Sequence, residues 1–178
     1  MRDDPKYLFL ELYCDADYGH PTDARSTTGG WLVLRGPNTD FPLACIHHKQ
    51  HATSRSTTEA EDVALAQSLF AEGVPALSLW EVLLKRKVDL HVREDNEAAI
   101  KAIRKGYSAK MRHTPRTHRV DLQSVKEALD NDSVEMSHVE TAHQRADVFT
   151  KDLAPSKWTP AVEMLNLHSF SKAAAGGA

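Results

Sequence analysis

Two cysteines among 178 residues are too few for a disulfide framework. Cys14 and Cys45 each sit in an apolar, strand-like run, so buried reduced thiols are expected, in keeping with a cytosolic compartment. Long hydrophobic runs are missing: none is expected to span a bilayer. Met1-Arg2-Asp3-Asp4-Pro5 does not read as a signal peptide, so no membrane partner is expected. There is no Cys/His spacing of a zinc site, no glycine-rich phosphate loop and no nucleophile elbow. Internal repeats are absent too. With 10 histidines, no single one is informative by its presence.

What is there is ordinary in bulk. An apolar content of 41% and a charged content of 26% suit one globular domain, expected over residues 1–167, with a low-complexity, disordered tail at 168–178. The net charge of −3 would argue against nucleic acid if it were uniform. It is not. Lys101, Arg104, Lys105, Lys110, Arg112, Arg116 and Arg119 follow one another without an intervening acid. Taken alone, such a block reads first as a solvated loop. Its functional reading is a phosphate-binding footprint.

The chain is organised around the run from Leu8 to Gly19, an apolar strand that stops at Asp15 and Asp17. Thr28–Leu34 and Leu43–Ile46 read as the second and third strands, separated by turns at Pro21-Thr22-Asp23 and Gly36-Pro37-Asn38, so residues 8–47 form an antiparallel meander. Ser56-Thr57-Thr58-Glu59 fits a capping box for a helix ending near Gly73. Pro75 opens another, with Ala76, Leu79, Trp80, Leu83 and Leu84 as its apolar stripe. Val88, Leu90 and Val92 alternate in a fourth strand that runs into Asp95-Asn96, where Asn96 caps a short helix. An amphipathic helix around 116–130 precedes a fifth strand, Val134–Val139. Thr141-Ala142-His143-Gln144 then opens a helix through Leu153, and a short extension follows. A meander followed by strand–helix alternation predicts an α/β fold with a mixed five-stranded sheet.

On that outline the acids gather at element ends. Asp15 ends the first strand, with Asp17 in reserve on the same strand face; Asp95 ends the fourth, where α/β sheets place their ligand crevice. Asp147 lies in the first turn of the last helix, and Glu61 or Glu59 in the first turn of the helix after the meander. Glu61 is preferred because it continues the row Ala64, Leu65, Leu69 toward the sheet, whereas Glu59 serves the capping box. Each acid alone has an ordinary structural explanation, as a loop acid, a turn acid or a partner of a helix dipole. Together, four converging carboxylates repel one another unless divalent ions sit between them. Two Mg²⁺ ions roughly 3.5–4 Å apart would clamp an in-line phosphoryl displacement. His143, four residues before Asp147, is read either as a proton shuttle or as a histidine that merely lies near a helix N-terminus.

These residues resemble the ribonuclease H domain of copia-type LTR retrotransposon polyproteins. The likeness is carried by Tyr13-Cys14-Asp15-Ala16-Asp17-Tyr18, Asp23–Gly30, Lys49-Gln50, Ser54–Glu61, Asp95–Ile100, Arg116–Asp121 and Gln144–Leu153, in order from about Tyr7 to Leu167. It implies the RNase H fold and Mg²⁺-dependent hydrolysis of the RNA strand of RNA–DNA hybrids, leaving 5′-phosphate ends. Mn²⁺ is expected to substitute. The implied metal ligands are Asp15, Glu61, Asp95 and Asp147. Tyr18, Asp62, Glu140 and the order His118-Arg119 depart from the family pattern, and none of them is one of the four acids. Lys110, Arg112, Arg116 and Arg119 would hold phosphates, and Asn96 or Gln50 would read 2′-hydroxyls. A reverse transcriptase domain in cis or in trans is the expected partner, in the cytoplasm, in virus-like particles or in the nucleus. The alternative is a non-catalytic RNase H-like module that binds nucleic acid or braces a reverse transcriptase. Survival of all four acids favours catalysis.

Overall fold

Residues Phe9–Asp17 form β1, the strand against which the rest of the sheet is built. A computed structural model describes residues 3–19 and 24–167. The turn expected at Pro21-Thr22-Asp23 and the tail at 168–178 lie outside the described residues. β1 pairs antiparallel with β2 (Thr27–Arg35), which pairs antiparallel with β3 (Asp40–Lys49). On its other side β1 runs parallel to β4 (Leu90–Glu94), and β4 parallel to β5 (Val134–His138). The order is β3-β2-β1-β4-β5, the mixed five-stranded sheet expected from the meander and the later alternation.

Alternation along β1 divides the core between the two faces. Leu10, Leu12 and Cys14 point into the larger core with Leu90 and Val92, beneath α1 (Thr57–Ser68), α3 (Glu97–Lys105) and α5 (Leu122–Leu129). Tyr13, Trp31 and Val33 face the other way and pack with Ala146 and Leu165, beside α6 (Pro155–Met164). Both cysteines are free. Cys14 is buried, but Cys45 is exposed, because it lies on β3 at the open edge of the sheet.

Three expected helices differ in the structure. The helix after the meander does not end at Gly73: a π-helical turn over Leu69–Gly73 carries it into α2 (Val74–Leu84). Gly73 stays right-handed, at φ −61°, instead of turning the chain out. Joined in this way, Thr57–Leu84 is long and apolar enough to cross a membrane by length and composition, which the two separate segments are not. Its expected stripe is only partly covered: Ala76, Trp80 and Leu84 pack on the core, while Leu79 and Leu83 are exposed; Leu77, outside that stripe, is buried. The helix expected around 116–130 is two pieces, α4 (Thr114–Thr117) and α5. Arg119 adopts φ 58° between them, and the Asp121 side chain caps α5 by accepting from the Gln123 N–H. The helix expected from Thr141 to Leu153 is two 3-10 turns, Thr141–His143 and Arg145–Phe149. Gln144 breaks them apart: its carboxamide accepts from the Ala146 N–H and donates to the Cys14 carbonyl at 2.8 Å, pinning the segment to β1. Arg145 adds a forked bond to Asp40 at 2.9 and 2.7 Å.

Candidate metal centre

The ends of β1 and β4 lie side by side, and the acids beyond them meet. Carboxylate oxygens of Asp15, Asp95 and Asp147 lie within 4.8 Å of one another, and so do oxygens of Glu61, Glu94 and Asp95. Asp95 belongs to both trios. Alternation puts Asp15 on the face of β1 shared with Tyr13, where the Arg145–Phe149 turn delivers Asp147, and puts Glu94 on the face shared with Leu90 and Val92, under α1. The two groups therefore approach Asp95 from opposite faces of the sheet. An open pocket of about 440 Å³ lies over them, lined by Asp15, Glu61, Asp95, Asn96 and Lys151 among others.

Of the acids named from sequence, Asp15, Glu61, Asp95 and Asp147 come together here. The two in reserve do not: Asp17 is exposed, and Glu59 points away, toward His113 at 3.0 Å and His118 at 3.3 Å. Glu59 also closes the capping box, its N–H donating to Ser56 Oγ at 3.1 Å. Asn96 caps α3, accepting from the Ala98 and Ala99 N–H groups, and lines the acid pocket. Gln50 is a correction. It is 0% exposed, donates to the Ala60 carbonyl at 2.9 Å and to Thr28 Oγ1, and accepts from Ser54. A side chain so enclosed holds β3 to α1 and cannot meet a nucleic acid. Lys110, Arg112, Arg116 and Arg119 are exposed, with Arg112 bonded to the Tyr107 hydroxyl at 2.7 Å. None of these four lines the acid pocket. His143 no longer shares a helix with Asp147. It is exposed, 3.8 Å from Glu140, and shares an open cleft of about 850 Å³ with Asp147 and Lys151.

Several groups at the site are absent from the set predicted by sequence. Lys151 Nζ donates to Asp147 Oδ1 at 2.6 Å, and among the described residues it is the basic side chain that lines the acid pocket. Thr150 donates to Asp15, and Thr141 to Asp95 at 2.9 Å, so two of the acids are oriented by hydroxyls. Glu94 is the fifth acid. Its signal in the sequence is the row Leu90, Val92, Glu94, which extends the buried face of β4 by one more step.

Burial and crowding raise the acids' pKa values. Asp15 is pushed up to about 6, first by burial and then by Asp147 and Asp95, against the opposing pull of Thr150 and Lys151. Glu61 is pushed up to about 10 by burial, then by Glu94, Asp15 and Asp95. Burial works against the Lys151 ammonium, but its bond to Asp147 and the charges of Asp15 and Asp95 outweigh that and raise its pKa. The donor set suits a small, hard divalent cation such as Mg²⁺. It is all carboxylate oxygen, and Glu61 Oε2 and Glu94 Oε2 are buried with no hydrogen-bond partner.

Asp62 is a separate case. Its two carboxylate oxygens are buried and unpartnered, and burial, then the Glu59 charge, pushes its pKa up to about 8. An ordinary carboxyl in the unfolded chain ionises near 3.8. The native state thus holds a proton that the unfolded state gives up, and stability falls as pH rises through that window. Asp62→Asn is expected to stabilise the protein over wild type by an amount that grows by about 3 kcal/mol from pH 5 to pH 8. Urea unfolding at the two pH values measures it. A gain that is the same at both would show that the Asp62 charge is not the cause.

No family model matches the sequence. Two curated relatives are retrovirus-related Pol polyproteins. That of transposon TNT 1-94 of Nicotiana tabacum is 24% identical over 167 residues, covering 90% of this chain and 12% of its own length. That of transposon RE2 of Arabidopsis thaliana is 26% identical over 148 residues, covering 83% and 10%. The chain therefore spans about a tenth of the length of these relatives. Among solved structures, LC11-RNase H1 in complex with RNA/DNA hybrid superposes with a TM-score of 0.53 at 14% identity, over 79% of this chain and 93% of that one. The N-terminal RNase H domain of Rv2228c from Mycobacterium tuberculosis gives 0.51 at 14% identity, over 88% and 97%. The chain has the ribonuclease H fold. Its sequence is similar to a short stretch of two retrotransposon Pol polyproteins, as its motifs led one to expect. In this RNase H fold, the two carboxylate trios sit where β1 and β4 end together.

Proposed function

We propose that this chain is a divalent-metal-dependent endonuclease that hydrolyses the RNA strand of RNA–DNA hybrids. The observation that carries the reading is Asp95, one carboxylate shared by two trios at the end of a central strand. Asp15, Glu61, Asp95 and Asp147 are the proposed ligands of two Mg²⁺ ions, for which Mn²⁺ would substitute. When bound, such an ion pair supplies an activated water and stabilises charge on the attacking and leaving oxygens. The protein's own part is to hold the carboxylates in place before substrate arrives. Thr150 and Thr141 fix the rotamers of Asp15 and Asp95, and Lys151 offsets the charge of Asp147. A scissile phosphate over the pocket would meet Asn96 at its rim. Lys110, Arg112, Arg116 and Arg119, exposed beyond α3, are proposed to hold the phosphates on either side of it. His143, at the mouth of the neighbouring cleft, is proposed to exchange protons with solvent. Residues 1–167 would act as one domain beside a reverse transcriptase domain, in cis or in trans, in the cytoplasm, in virus-like particles or in the nucleus.

The test is a cleavage assay on end-labelled RNA–DNA hybrid, duplex RNA and duplex DNA, with Mg²⁺, Mn²⁺ or chelator. The expected result is cutting of the hybrid's RNA strand alone, only with metal, giving 5′-phosphate ends. Tight hybrid binding without cutting in either metal would replace the enzyme with a non-catalytic binding module.

A further inference from the structure

Glu94 ends β4 with its side chain fully enclosed. One carboxylate oxygen, Oε1, accepts the Asn96 N–H at 3.0 Å. The other, Oε2, is buried and has no hydrogen-bond partner. Such a bare acceptor costs free energy, and carboxylates are rarely left in this state. Its acidic neighbours deepen the problem: oxygens of Glu61 and Asp95 lie within 4.8 Å, and Glu61 Oε2 is bare as well. Lys151 acts on this trio only through the charge of Asp95, since its bond goes to Asp147 in the other one. Two acids with bare, buried oxygens in one trio suit a small, hard cation.

We infer that Glu94 is a fifth carboxylate ligand of the metal centre, completing with Glu61 and Asp95 a set for one divalent cation. This rests on the metal-dependent reading above. With two ions bound, charge agrees with it. Asp15, Glu61, Asp95 and Asp147 together with the Lys151 ammonium fall one negative charge short of balancing two divalent ions, and the Glu94 carboxylate supplies it. The ion beside Glu94 is then held from within the sheet by a strand residue with no freedom to swing, next to the Asn96 cap of α3.

The experiment is a Mn²⁺ titration of the full chain by calorimetry, without nucleic acid, on wild type, Glu94→Gln, Glu94→Asp and Asp95→Asn. Glu94→Gln keeps the size of the side chain and removes its charge. It is expected to weaken Mn²⁺ binding tenfold or more while raising the melting temperature in chelator, because one buried like charge is gone. Glu94→Asp, one methylene shorter, is expected to fall in between, and it decides the matter if Glu94→Gln does not fold. Wild-type affinity in the folded Glu94 variants, with binding lost in Asp95→Asn, would overturn the fifth ligand and leave the metal centre standing. No saturable Mn²⁺ binding by wild type would overturn the metal-dependent reading itself.

Discussion

Asp95→Asn is expected to cut hybrid cleavage by roughly four orders of magnitude, or about 5.5 kcal/mol of transition-state stabilisation. The size of the loss follows from position. Among the described residues Asp95 alone contributes an oxygen to both trios, so one substitution would take a proposed ligand from each. Asp147→Asn touches one trio and is expected to cost about a hundredfold. The fold should survive, because a carboxamide oxygen still accepts from Thr141, and the α3 cap belongs to Asn96. Single-turnover cleavage of a labelled hybrid, with circular dichroism to confirm the fold, measures both variants. Wild-type-like turnover by Asp95→Asn would remove the proposed chemistry. Equal losses in the two variants would remove the special place of Asp95.

The second large effect is expected at Gly29, which has no side chain to contribute to the site. It pairs with Asp15 across β1 and β2, and the turn carrying Asp147 lies flat on its backbone. A Cβ added there would collide with Thr150 Cγ2 and come within 2.9 Å of the Ala146 carbonyl. The sheet cannot yield, so the turn must lift, taking Asp147 and the Thr150 hydroxyl away from Asp15. Gly29→Ala is therefore expected to lose about a hundredfold in cleavage and roughly 1–3 kcal/mol in stability. Thr150→Ser removes the colliding methyl and keeps the hydroxyl that Asp15 accepts, so adding it to Gly29→Ala should recover part of both losses. A double variant no better than the single one would show that the turn does not transmit the damage.

Strands and strand ends were legible because alternation and turn residues mark them locally, and the resemblance added the order of the pieces. The acids at the ends of β1 and β4 could be placed for the same reason. Gln50 shows where such reading stops. A polar residue just past a strand looks like a surface group until Ala60, Thr28 and Ser54 are seen around it, 10, 22 and 4 residues away. The segment after β5 misleads differently. Thr141–Leu153 has a helix-like spacing, but Gln144 spends its carboxamide on Cys14, 130 residues distant, and the chain follows that bond. Lys151 lies four residues after Asp147, so that pairing is local; its place in the pocket with Asp15 and Asp95 comes from the fold. Glu94 could have been found by extending the inward row of β4 one residue further.

Gln144 and Arg145 clamp the approach to Asp147 at two points, one on the central strand and one on the sheet's outer edge. The cradle therefore exists before any cargo enters it. On the proposed reading, loading ions would be a matter of diffusion and charge, with no backbone rearrangement to wait for, and a chelated sample is expected to keep its tertiary packing.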